Sequence, residues 1–106
     1  MAIAALKAPF PYFGGKSRIA DEVWARIGDV DNAIEPFCGS LAWLLARPHA
    51  PKVETANDLN CYCANFWRAV SRDAVAVAVH ADWPVNEIDL HARHRWLVQS
   101  RESAEF

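Results

Sequence analysis

The sequence predicts an α/β fold with few parallel strands and flanking helices. Two short segments, Asn32-Ala-Ile-Glu35 and Lys52-Val-Glu-Thr-Ala56, read as strands bounded by turn residues. A helical segment, Ser40-Leu-Ala-Trp-Leu-Leu-Ala46, lies between them. Strand, helix and strand with short connections make a βαβ unit, so the strands should be parallel and the crossover right-handed. Downstream of that unit the apolar residues recur mostly at helical spacing.

The elements follow in chain order. Pro9-Phe-Pro-Tyr-Phe-Gly-Gly-Lys16 is excluded from helix, because Pro9 and Pro11 hold themselves and their neighbours extended. Gly14 and Gly15 permit a tight turn. Ser17 is a candidate N-cap for a helix whose apolar stripe is Ile19, Val23, Trp24 and Ile27 and which stops at Gly28. Asn32–Glu35 reads as a short buried strand, followed by the Pro-Phe-Cys-Gly turn and the Ser40–Ala46 helix. Pro48 and Pro51 bracket a loop before the second strand, which ends at Asn57-Asp58. A long helix is predicted next, with Leu59, Tyr62, Cys63, Phe66, Trp67 and Val70 on one face. The run Asp73 to His80 alternates Val with Ala, and the alanines favour helix over strand. Asp82-Trp-Pro84 reads as a loop, and Asn86 with Asp89 forms an imperfect capping box for a last helix to about Ser100.

The 106 residues suit one small globular domain, with 53% apolar and 23% charged residues. A formal net charge of −2 gives no global attraction to nucleic acid, so any DNA contact has to be a weak or local one. Met1–Leu6 lacks a basic n-region and a cleavage site, and no apolar run approaches the roughly 18 residues of a membrane span. Cys38, Cys61 and Cys63 then read as core-filling thiols of a reduced, cytoplasmic protein. Five tryptophans are spread along the chain, which suits packing better than a stacking platform for bases.

Three segments carry candidate chemistry. In Tyr12-Phe-Gly-Gly-Lys16, adjacent glycines let a ligand approach the backbone, and Lys16 can reach an anionic group. Glu35-Pro-Phe-Cys-Gly-Ser40 follows a strand and precedes a helix, the place where parallel α/β sheets bind ligands. Asp58 ends the next strand, 19 residues after Gly39. A carboxylate at that spacing suits the two hydroxyls of a ribose, while the absence of G-x-G-x-x-G argues against a dinucleotide. Metal binding is not expected. Cys61 and Cys63 would stand about 200° apart on a helix, and His80, His91 and His94 do not complete a zinc pattern. Arg93, Arg95 and Trp96 lie in a mildly basic stretch that reads either as a solvated helix face or as a nucleic-acid or partner contact.

PFPYFGGK, IEPFCGS and NDLN, in this order, resemble the first motifs of the Dam-like adenine-specific DNA methyltransferases of bacteria and their phages. The resemblance runs from about Pro9 to Trp96. It implies a partial Rossmann-like methyltransferase fold and a site for S-adenosylmethionine, working or vestigial. The aromatic-Gly-Gly-Lys segment and the E-P-F-x-G-S loop would wrap the methionine part, and the acid of N-D would bind the ribose. By position this implicates Tyr12, Gly14, Gly15 and Lys16, then Glu35, Pro36, Phe37 and Gly39, then Asp58. Leu41 stands where the family often carries glycine. The family's acidic-Pro-Pro-aromatic motif, which holds the flipped adenine, has no counterpart here, so no catalytic residue is assigned.

The resemblance implies a cofactor-binding half over residues 1–83 and the start of a DNA-recognition helical region over 84–106. The first functional expectation is a truncated methyltransferase portion that binds S-adenosylmethionine without transferring methyl groups alone. The second is a non-catalytic binding protein on the same fold, such as a phage-encoded inhibitor of a host nucleic-acid defence complex. With two strands, the sheet should have uncovered edges that call for a homodimer or a host or phage protein partner.

Overall fold

The computed structural model describes residues 6–82 and 86–101. The elements are α1 (Ala20–Ile27), β1 (Asn32–Glu35), α2 (Ala42–Leu45), β2 (Val53–Ala56), α3 (Cys61–Arg72), α4 (Ala74–Ala81) and α5 (Glu87–Ser100). β1 and β2 pair in parallel, from Asn32 opposite Val53 to Glu35 opposite Ala56. This is the mixed helix-and-strand organisation with parallel strands that the sequence predicts. The chain forms two compact units, residues 1–64 and 65–106, whose division falls inside α3. The domain limit read from sequence, at 83/84, falls among residues 83–85, which lie outside the described ones. So do the Trp83-Pro84 loop and most of the N-terminal apolar segment.

In the first unit, α1 and α2 pack against each other and on Ala33 of β1, while β2 is exposed along its length. Ala20 and Trp24 from α1, Ala33 from β1, and Trp43 and Leu44 from α2 form the core. The Trp24 and Trp43 rings stack with centroids 4.6 Å apart, and Trp24 Nε1 donates to the Trp43 carbonyl at 2.7 Å. Arg47 is buried to 4% exposure, with its guanidinium over the Trp24 ring, 5.0 Å from the centroid. Arg47 donates to Glu54 at 3.0 Å, to Asp29 at 3.2 Å and to the Val30 carbonyl at 2.6 Å. A guanidinium suits this place because its planar fork can serve several acceptors while its face lies on an indole. Burial pushes the Asp29 carboxyl up, but Arg47 and Lys52 outweigh it and hold the group below its ordinary value.

Several local expectations change. Ser17 does not cap α1: it lies in a turn in which the Ile19 N–H donates to the Lys16 carbonyl at 3.1 Å, and Ile19 occupies the N-cap without a side-chain bond. Ile19 and Ile27 are exposed, so the buried stripe of α1 is Ala20 and Trp24 flanked by Val23. β1 is buried on one face only: Ala33 and Glu35 point inward, while Ile34 is 65% exposed. α2 is shorter than the predicted helix because Leu41, at φ 58°, is left-handed and stops it extending back to Ser40. The Leu41 side chain nevertheless packs against the core.

Beyond Ala64 the helices follow their caps. Asp73 accepts the Ala76 N–H at 3.0 Å, and the Val/Ala run behind it is helix. Asn86 accepts the Asp89 N–H at 2.9 Å and donates its amide to the Asp89 carboxylate at 2.7 Å, so the imperfect box closes on side chains. On α3, Cys63 is buried and Tyr62, Phe66, Trp67 and Val70 are half-buried; Leu59, predicted on the same face, precedes the helix and is fully exposed.

The Arg47 contacts give a direct test. Removing one partner of a buried ion pair typically costs about 3–5 kcal/mol, and the partly exposed partners here place Arg47→Ala toward the lower figure. Arg47→Lys should fall between alanine and the native residue, since it keeps the charge and loses the fork. Urea unfolding at neutral pH measures both as a shift in midpoint at constant slope.

Candidate functional site

Two loops leave the carboxyl ends of the parallel strands, and the strand ladder ties them together. The Asn57 N–H donates to the Glu35 carbonyl at 2.9 Å, and the Cys38 N–H donates to the Asn57 carbonyl at 2.9 Å. Asp58 then spans the gap. Its Oδ2 accepts the Gly39 N–H at 2.9 Å and its Oδ1 accepts the Asn60 N–H at 2.8 Å. Asn60 in turn accepts the Tyr62 N–H at 2.9 Å, which starts α3. A carboxylate has about four acceptor positions, so Asp58 retains capacity for hydroxyl donors after both backbone bonds are made.

The Tyr12–Lys16 loop meets the other two. The Gly15 N–H closes a turn on the Tyr12 carbonyl at 2.9 Å, with Gly14 at φ 73°. A Cβ on Gly15 would stand 2.9 Å from that carbonyl oxygen, so the turn needs glycine there. It delivers Lys16, whose ammonium donates to the Phe37 carbonyl at 2.6 Å and lies 3.0 Å from Glu35 Oε1. The Tyr12 ring lies on Gly39, whose φ is 49°.

Glu35 is the group most at odds with its surroundings. It is 2% exposed, and neither carboxylate oxygen has a well-aligned hydrogen-bond donor among the described residues. The Lys16 contact is therefore an ion pair whose best hydrogen bond is spent on Phe37. Burial raises the Glu35 carboxyl above its ordinary value; Lys16 and the nearby Leu44 N–H pull it down, and Asp58 adds to the rise. Burial also raises the Cys38 thiol, with the Asp58 and Glu35 charges adding to it.

The structure thus brings together Tyr12, Gly15, Lys16, Glu35, Phe37, Gly39 and Asp58, with Gly14 and Pro36 shaping the two turns. Phe37 contributes its carbonyl to Lys16, and its side chain is exposed. Arg93, Arg95 and Trp96 belong to α5 in the second unit. Arg95 and Trp96 line a shallow hollow there with His91, Ala92 and Gln99. Sequence reasoning missed Asn60, which orients Asp58 and caps α3; an Asn just before an apolar helical run is the signal that marks it. All three cysteines are free. Among the described residues no cluster of His, Cys, Asp and Glu is placed to hold a metal ion, and no helix is long and apolar enough to cross a membrane.

Comparison with known families agrees with this arrangement. The family model for D12 class N6 adenine-specific DNA methyltransferases matches residues 12–94. The chain belongs to that family. The match starts at Tyr12 and takes in all three loops. No curated protein and no solved structure gave a match to the chain. Methyltransferases of this kind draw their methyl group from S-adenosylmethionine in general.

In this D12 domain, Glu35→Gln separates the cost of the buried charge from its use. A carboxyl raised in the folded state penalises folding once pH exceeds its folded value, and the penalty vanishes below the unfolded value near about 4.3. Glu35→Gln should therefore make the chain more stable than the native one at pH 8, because the amide leaves no charge to bury. The gain should disappear toward pH 4, as read from urea midpoints at the two pH values.

Proposed function

We propose that these residues are the S-adenosylmethionine-binding portion of a DNA adenine methyltransferase, with β1 and β2 as two strands of a Rossmann-like sheet. The observation that carries this reading is the meeting of three loops at the carboxyl ends of parallel strands, where ligands bind in open α/β sheets. Asp58 keeps acceptor capacity for the ribose hydroxyls. The buried, poorly met Glu35 carboxylate suits the ammonium of the methionine part, and Lys16 beside it suits the carboxylate. The bound cofactor would supply an activated methyl group. The residues named here bind and orient it; none is assigned the base-holding step, and the 106-residue chain alone is expected to leave duplex DNA unmethylated. Arg93, Arg95 and Trp96 on α5 are proposed as a nucleic-acid or partner contact.

Calorimetric titration with S-adenosylmethionine tests the reading. The chain should bind, and Asp58→Ala should weaken binding by about 1.5–3 kcal/mol, roughly 10- to 150-fold. Because Asp58 also holds the Gly39 and Asn60 backbone, the same variant should lose stability by about 1–3 kcal/mol. Heats indistinguishable from buffer with the wild-type chain, or equal affinity in the variant, would refute the assignment.

A further inference from the structure

We propose that the hollow on α5 binds an unpaired nucleotide, with the base stacked on Trp96 and the phosphate on Arg95, a reading that rests on α5 as a contact surface and on no part of the cofactor site. His91, Ala92, Arg95, Trp96 and Gln99 stand at i, i+1, i+4, i+5 and i+8, which places them on one face of the helix. They border about 340 Å³, and Ala92, the shortest of them, leaves the space open between its longer neighbours. Leu97 is half-buried and Ser100 is buried, so the packed side of α5 is elsewhere. Trp96 is 57% exposed, and an indole left in water keeps an apolar face free for stacking.

The charge on this face is uncompensated. Over residues 90–101 the sequence carries Arg93, Arg95 and Arg101 and no acid. The acids of the first turn are already engaged: Glu87 lies 3.6 Å from His91, and Asp89 accepts from the Asn86 amide at 2.7 Å. The residues three and four away from Arg95 are His91, Ala92, Val98 and Gln99, none of which neutralises a guanidinium. Arg95 has no hydrogen bond or ion pair among the described residues. The aromatic then decides between ligands. A duplex hides the faces of its bases and offers edges and phosphates to a helix in its groove. An acidic peptide would satisfy Arg95 and leave Trp96 bare. A base outside a duplex brings a π-face for Trp96 and a phosphate for Arg95 together, with the Gln99 amide, both donor and acceptor, at the rim.

The test uses the whole chain without cofactor and a dye-labelled DNA strand of about 12 nucleotides, free or annealed to its complement, read by fluorescence anisotropy. The single strand should bind more tightly than the duplex, although the duplex carries more charge. Trp96→Ala should weaken single-strand binding about 5- to 150-fold, the range for one stacked base, and Trp96→Phe should retain part of it. Arg95→Gln and Arg93→Gln lose the same charge, but Arg93 does not line the hollow, so Arg95→Gln should weaken binding more. The side chains of Arg95 and Trp96 are exposed, so these variants keep the fold, which circular dichroism checks. Quenching of the tryptophan emission by the strand, reduced in Trp96→Phe, reads the stacking independently. Equal or tighter duplex binding, equal losses in the two arginine variants, or an unchanged Trp96→Ala overturns the nucleotide hollow and leaves α5 a general contact. Displacement of the strand by a polyglutamate peptide as readily as by unlabelled strand overturns it in favour of an acidic partner. No binding of either DNA overturns both the hollow and the nucleic-acid reading of α5, while the S-adenosylmethionine titration decides the cofactor reading by itself.

Discussion

The first unit is organised around the indole of Trp24. One face stacks on Trp43, its N–H is spent on the Trp43 carbonyl, and the guanidinium of Arg47 lies over its ring. That single contact couples α1 to α2 and draws a buried cation to the start of both strands. Arg47 then gathers Asp29 and Val30 from the approach to β1 and Glu54 from β2, while Lys52 pairs with Asp29 and Asp31 nearby. The ion pairs that hold the strands in register thus sit at their amino ends. The carboxyl ends are left to the loops of the candidate site with Glu35 and Asp58, so the two groups of charge are kept apart along one short sheet.

The two acids at the carboxyl ends divide the labour. Asp58 is well satisfied by backbone N–H groups, and it makes the loop geometry. Glu35 is buried with an ammonium beside it but without aligned donors, and folding alone gives little return for placing it there. On the proposed reading, this pairing of one structural and one under-used carboxylate supplies what a preorganised binding site requires: fixed walls and a group with capacity for an added partner.

Much of this was legible in the sequence where the determinants are local. Asp73 and Asn86 precede helical runs and do cap them, and the βαβ pattern led to the parallel pair. Gly14, Gly15 and Gly39 marked the turns. What escaped depends on distant neighbours. Arg47, just before the Pro48–Pro51 loop, carries no local signal of burial, and only the tertiary approach of Asp29 and Glu54 makes it a core residue. Ser17 has the right chemistry for a cap, but the turn through Ile19 starts the helix further on. Ile34 looked like a core residue because strand pattern does not say whether a sheet is covered on one face or two.

Leu41 shows how one position can hold two incompatible demands. A left-handed leucine carries a backbone cost of about 1–2 kcal/mol, and the same side chain packs against the core of Ala20, Trp24, Ala33, Trp43 and Leu44. Glycine would relax the backbone and leave a void; leucine closes the void and strains the backbone. The choice between the two at this position is therefore set by how much volume the neighbouring core positions already supply. Substitutions at 41 would be epistatic with the core cluster it packs on, and the loop that follows the first strand would change in sequence only in step with the packing beneath it.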